Sequence, residues 1–193
     1  VSSISEANDL LRHGDVTLSI LPEPPPPSLP YLHTRPLTSA PYLFLQRQNA
    51  TTYEPDAQTH AVVAVAKGYV APRLLGSEYP NLVFKQTETM GEAFKLVREG
   101  GADMVLAPAN VARYYLSYKY ESSLKVGGVF TGSDIRIVFA TPQDQALFIS
   151  ILDKAMLDIS PRKYLEIIGR WRANSATDDR YWEGIAAYVR HSF

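Results

Sequence analysis

The chain has 193 residues, 46% of them hydrophobic, which suffices for one sizeable core or two small lobes. Its 19 Lys and Arg balance 20 Asp and Glu, so no basic excess is available to grip a phosphate backbone, and nucleic acid is set aside as a partner. The absence of cysteine removes disulfide frameworks, thiolate metal sites and cysteine nucleophiles, and leaves the redox compartment open.

Val1-Ser-Ser-Ile-Ser reads as the entry into a helix, with no leader-peptide pattern before it, which suggests a fragment of a longer protein. That helix carries Leu10 and Leu11, ends at Gly14-Asp15, and leads to a strand at Val16 to Leu21. Pro22 to Pro30 has few backbone donors and fixed φ, so an extended polyproline loop is expected, most simply a stiff connector. A strand follows at Tyr42 to Arg47. The polar stretch Gln48 to Gln58, with Pro55, then looks like a crossing between lobes; Asn49-Ala-Thr51 within it matches a glycosylation sequon, a pattern short enough to arise by chance.

Further on, strands are expected at His60 to Lys67, Leu82 to Gln86, Met104 to Ala107, Lys125 to Phe130 and Ile135 to Ala140. Helices are expected at Val70 to Glu78, from Glu92 to Gly100, at Pro108 to Tyr120 and at Asp144 to Leu157. Another opens at Ser160-Pro161, serine as cap and proline at the first helical position, and runs to Trp171. Such alternation implies an α/β fold with mainly parallel strands. The longest apolar run, Ala61 to Ala66, is ended by Lys67-Gly68, well short of the ~18 residues that would span a bilayer.

An internal echo stands out. Glu6-Ala7 through Gly14-Asp15 and its strand are matched by Glu92-Ala93 through Gly100 and Asp103 and its strand, 86 positions on at the helix and 88 at the aspartate (92 − 6 and 103 − 15). That offset is too long for a solenoid repeat and suits two similar lobes, although helix-Gly-Asp-strand units are common in α/β proteins.

Catalytic chemistry is sparse. His13, His33, His60 and His191 are scattered without metal-ligand spacing, and there is neither a Gly-x-Ser-x-Gly elbow nor a Walker loop. Gly127-Gly128 lacks the spacing of a dinucleotide fingerprint. Asp153, Asp158 and Glu166 lie near Lys154, Arg162 and Arg170, as paired surface charges do. The expectation is no enzyme activity, no cofactor and no metal. More suggestive is Val63 to Val70: a strand, then Lys67-Gly68-Tyr69, then a helix whose free N–H groups attract an anion, although an ordinary strand-to-helix turn accounts for the same residues.

Together, the echoed units, Ser39-Ala-Pro41-Tyr42, the Lys67-Gly68-Tyr69 turn and Tyr79-Pro80 resemble, in order, the periplasmic solute-binding or Venus flytrap domain (type II, family 3). Ala112-Arg-Tyr114-Tyr115, Ile151 to Ala155 with Ile159-Ser160, Ile167 to Arg172 and Tyr181 to Tyr188 resemble more particularly the membrane-proximal flytrap domain of BvgS-like and EvgS-like hybrid sensor histidine kinases. The resemblance covers essentially the whole chain. It implies a two-lobed α/β fold with the N-terminal part of lobe one missing: residues 1–47 in lobe one, 48–58 crossing over, 59–130 in lobe two, 131–178 returning to lobe one, and 179–193 leading toward a membrane-spanning segment outside this chain. The implied role is a periplasmic ligand-sensing domain of an inner-membrane, two-component receptor, homodimeric in full, whose catalytic kinase lies elsewhere. The alternatives are a free solute-binding protein of a transporter and a dehydratase-like enzyme on the same scaffold. An apolar span of ~20 residues after Phe193 would favour the receptor and a stop codon the carrier.

Candidate ligand residues are Lys67, Gly68, Tyr69, Val70, Pro108 and Asn110 from lobe two, with Arg35 and Ser39 from lobe one. The resemblance also implies a departure. The arginine that holds an amino-acid carboxylate in the family falls near Leu32, with Arg35 out of register, and the aspartate that holds the ammonium falls at Pro108. The expected ligand is therefore a small solute other than a standard α-amino acid, or none, since burying a zwitterion without those partners is costly.

Overall fold

The structure, a computed structural model, describes residues 3–23, 31–51, 55, 59–69, 79–120, 122–132, 134–164 and 166–167. The helix expected at Val70 to Glu78, the part of the expected Pro22 to Pro30 loop from Pro24 on and the aromatic segment from Arg170 onward lie outside the described residues, as does Val70, while Pro22 and Glu23 belong to a strand.

Helix α1 (Ile4–His13) starts where Ser3 caps it: the Glu6 amide donates to Ser3 Oγ at 3.1 Å. It stops at Gly14, whose φ of 79° lets its own and the following amide turn back onto the last carbonyls. Strand β1 (Ser19–Glu23) begins three residues later than the apolar pattern suggests. Two three-residue strands, β2 (Tyr31–His33) and β3 (Thr38–Ala40), are too short to show a periodicity and were not anticipated. β4 (Tyr42–Arg47), β5 (Ala61–Ala66) and β6 (Leu82–Thr87) follow. Next come α2 (Met90–Arg98), β7 (Met104–Pro108), α3 (Ala109–Tyr118), β8 (Leu124–Val129) and β9 (Ile135–Pro142). A 3₁₀ turn, Gln143–Gln145, leads to α4 (Ala146–Leu157), and residues 161–164 and 166–167 are helical again, opened by Ser160 Oγ accepting from the Lys163 amide.

Two sheets result. The smaller has β9 paired with β1, β2 and β3; the larger runs β6-β5-β7-β4-β8. The expectation of mainly parallel strands is not met: of the seven pairings among the described residues, only β5 with β6 and β5 with β7 are parallel. Parallel neighbours need a helical crossover between them, and α2 supplies one before β7. β4, β8 and β9 instead belong to chain that passes between the sheets and pairs antiparallel.

The placement of β4 corrects the boundary expected at Arg47, since this strand sits in the larger sheet between β7 and β8. Tyr42, Leu43, Phe44 and Leu45 are all buried, and a strand apolar on both sides needs layers on both sides. Pro41 marks the switch: without an N–H it extends no ladder, so β3 ends in one sheet and β4 starts in the other. β4 and β5, the strands before and after residues 48–58, both belong to this larger sheet. The chain comes back to the smaller sheet between Phe130 and Ile135, which flank Pro41: the Phe130 amide donates to the Tyr42 carbonyl (2.9 Å), and Ala40 pairs with Ile135.

The larger sheet has a core on each face. Leu43, Leu45, Ala64 and Val105 meet α2 and α3 on one side, where Phe94 stacks on Tyr115 at a centroid distance of 4.3 Å. Tyr42, Phe44, Val63, Leu106, Tyr79 and Phe130 fill the other. In the smaller lobe α1 packs Leu11 against Leu21 and Ala140.

Candidate functional site

The C-terminal ends of the parallel strands β5 and β7 lie on one edge of the larger sheet, the edge at which open α/β sheets hold ligands. Beyond β5, Lys67 donates its amide to the Thr87 carbonyl (3.0 Å) and its ammonium pairs with Glu88. Gly68 turns the chain with a φ of 82°. Tyr69 follows, its carbonyl accepting a hydrogen bond from the buried Tyr42 hydroxyl. Burial holds the Tyr42 and Tyr69 phenols protonated well above the ordinary tyrosine range.

Next to this turn is the N-terminus of α2, closed by reciprocal bonds. Thr89 Oγ1 accepts from the Glu92 amide (3.2 Å), while Glu92 Oε2 accepts from the Glu88 (3.0 Å) and Thr89 (3.4 Å) amides. The Thr-x-x-Glu spacing signals this box in the sequence, and the sequence reading did not use it.

Across from these elements stand the first turn of α1 and Ile20 of β1. Between the two faces lies a cleft of about 530 Å³, lined by Ser3, Ile4, Ala7 and Ile20 from the smaller lobe. Tyr69, Glu88 to Gly91, Val111 and Tyr115 line it from the larger. Among the described lining residues the one charged side chain, Glu88, is already held by Lys67. Among the described residues the lining is thus apolar and hydroxylic, with no cation for a carboxylate and no unpaired carboxylate for an ammonium.

Of the residues singled out from the sequence, Tyr69 lines the cleft and Lys67 and Gly68 adjoin it. Pro108 ends β7 opposite Tyr42, and Asn110 at the start of α3 bonds its own neighbour, Oδ1 accepting from the Val111 amide at 2.9 Å. Two residues are engaged elsewhere. Arg35 grips Asp153 of α4 through Nε (3.1 Å) and a terminal nitrogen (2.8 Å), with its backbone amide adding a third bond (2.7 Å). Asp153 is therefore partnered by Arg35 and not by the adjacent Lys154. Ser39 donates to Asp134 Oδ2 at 3.1 Å, linking the two crossings. Leu32, at the expected arginine position, is paired with Thr141 inside the smaller sheet. The smaller-lobe lining, with Val111 and Tyr115, carried no local sequence signal, because only the meeting of the two sheets makes these residues neighbours.

Among the described residues no group of three or more His, Asp or Glu could hold a metal ion, and no helix is long and apolar enough to cross a membrane. No protein-family model matches the chain. The periplasmic VFT2 domain of BvgS from Bordetella pertussis superposes with a TM-score of 0.77 at 26% identity, over 89% of this chain and 74% of that one. The chain is a Venus flytrap domain.

The flytrap fold recurs at 14% identity in the amino acid transporter substrate-binding protein AbpA of Streptococcus pneumoniae, solved with L-arginine (TM-score 0.77, 91% of this chain and 76% of that one). In sequence, the flytrap chain is 30% identical over 150 residues to the virulence sensor protein BvgS of Bordetella pertussis, which covers 75% of this chain and 12% of that protein. It is 27% identical over 136 residues to the sensor protein EvgS of Escherichia coli K12, over 69% of the chain and 11% of that protein. The flytrap chain thus spans about an eighth or less of the length of these curated relatives. Its similarity is to sensor domains rather than to catalytic ones.

Proposed function

We propose that this flytrap domain is the periplasmic ligand-sensing part of an inner-membrane hybrid histidine kinase of a two-component system, homodimeric in the complete receptor, and that it signals by opening and closing its cleft. The observation that carries the reading is a cleft lined from both sheets while, among the described residues, the chain passes from one sheet to the other at two adjacent places, at Pro41 and between Phe130 and Ile135. A solute touching both faces favours the closed arrangement by its differential affinity, and that bias is the signal. The likeness to BvgS and EvgS supports a sensor over a carrier, although the shared fold with AbpA keeps the transporter reading as the second one.

The lining sets the ligand class. With Glu88 already paired and no cation among the described lining residues, a zwitterionic α-amino acid would lose water and gain no ion pair from them. The fitting solute is small, uncharged and partly apolar or aromatic, able to lie against Tyr69 and Tyr115. Titration calorimetry of the chain with a panel of amino acids and of neutral aromatic and aliphatic solutes checks this, with heat expected only from the neutral set; tight binding of an α-amino acid refutes the class. In the complete receptor, Tyr69→Ala should change autophosphorylation at unchanged membrane level, and an unaltered output refutes the sensor reading.

A further inference from the structure

The glycine of the Lys67-Gly68-Tyr69 turn reads, from the sequence, as backbone left open for a ligand, yet a side chain of the opposite lobe already sits there. A Cβ placed on Gly68 would lie 2.7 Å from Ile4 Cγ2 and 3.0 Å from Ile4 Cβ, both closer than nonbonded carbons tolerate. Ile4 is the first residue of α1, packed onto the small-lobe cluster of Leu11, Leu21 and Ala140, whereas Gly68 belongs to the larger lobe. The contact therefore spans the cleft. Ile4 is β-branched and helical, which holds its χ1 to essentially one rotamer, and its Cβ moves only with α1 itself. Relief of a clash at this point thus requires the lobes to move apart.

We propose that Ile4 seated on Gly68 is the latch that sets how far this cleft closes, the missing Cβ at position 68 being what lets the two lobes meet. The proposal deepens the cleft reading and rests on it, but the latch is read without any ligand. Two other glycines share the left-handed backbone of Gly68 and not its neighbour: Gly14 (φ 79°) and Gly100 (φ 81°) have nothing within 4 Å of an added Cβ. They separate the effect of backbone strain from that of the cross-cleft contact.

The chain contains no cysteine, so Thr17→Cys and Lys95→Cys, exposed positions on the small lobe and on α2, place two spin labels across the cleft. Pulsed electron resonance on the ligand-free labelled chain then reads the interlobe distance. Gly68→Ala is expected to lower the closed-to-open ratio roughly tenfold, the shift that follows from losing one well-packed aliphatic contact. Gly100→Ala should leave the distribution unchanged. Ile4→Ala, which introduces no strain, should also lengthen the distance, and Gly68→Ala should act more weakly in that background, where Cγ2 is gone and the Cβ at position 4 remains. The latch is overturned if Ile4→Ala leaves the distance unaltered, if Gly68→Ala acts equally with and without Ile4, or if Gly100→Ala opens the cleft as much. Each of those results leaves ligand binding by calorimetry free to succeed or fail separately.

Discussion

At the scale of single residues, the contacts that hold the turn and the small lobe are polar and local in effect. The Asp153 carboxyl is kept below the ordinary aspartate range, first by the Arg35 side-chain bonds and then by the Arg35 amide. A depressed folded value contributes stability above the unfolded pKa of about 3.9 and loses it as pH falls through the folded value. Asp153→Asn should therefore lower the thermal midpoint near neutrality and flatten its decline in acid, measured by calorimetric melts from neutral pH downward. The tyrosines work in the opposite direction. Burial raises Tyr42, Tyr69 and Tyr115, so their stability is complete below about pH 10 and is lost as pH rises further, because the unfolded chain ionises first. Tyr42→Phe removes the bond to the Tyr69 carbonyl and should cost about 1–3 kcal/mol in urea unfolding at neutral pH. It should also make the alkaline loss of stability shallower.

At the scale of elements, helix starts and stops were largely legible. Gly14 and Gly100 end their helices in the left-handed region in both echoed units, because a helix that must turn back onto its own carbonyls selects glycine whatever surrounds it. The α2 capping box is equally local. Thr89→Ala should destabilise the chain by about 1 kcal/mol, read from the shift of the urea midpoint, since it orphans the Glu92 amide and weakens the grip of Glu92 on the preceding amides. Strand partners were less legible. The apolar pattern of Tyr42 to Leu45 announces a strand buried on both faces without saying in which sheet, and β2 and β3 are defined only by their pairing with β9.

At the scale of the whole molecule, the proposed closure of the cleft on a solute would couple the lobes energetically. A solute that binds only the folded, closed form stabilises it by mass action, about 2.7 kcal/mol at a hundredfold excess over its dissociation constant. The neutral solutes that give heat in the calorimeter should accordingly raise the thermal midpoint, and amino acids should not.

Composition and local pattern, by themselves, determined a near-neutral, cysteine-free α/β chain, its main helices and strands and the turn at Lys67-Gly68-Tyr69. These depend on capping, periodicity and glycine backbone, which act within a few residues. The tertiary structure alone decided that β4 belongs to the larger sheet, that most strands pair antiparallel, that Arg35 answers Asp153 and that Ile4 meets Gly68. Each of those facts joins residues far apart in the chain, and burial on two faces, the missing amide of Pro41 and the fit between opposing surfaces take effect only once the sheets have formed.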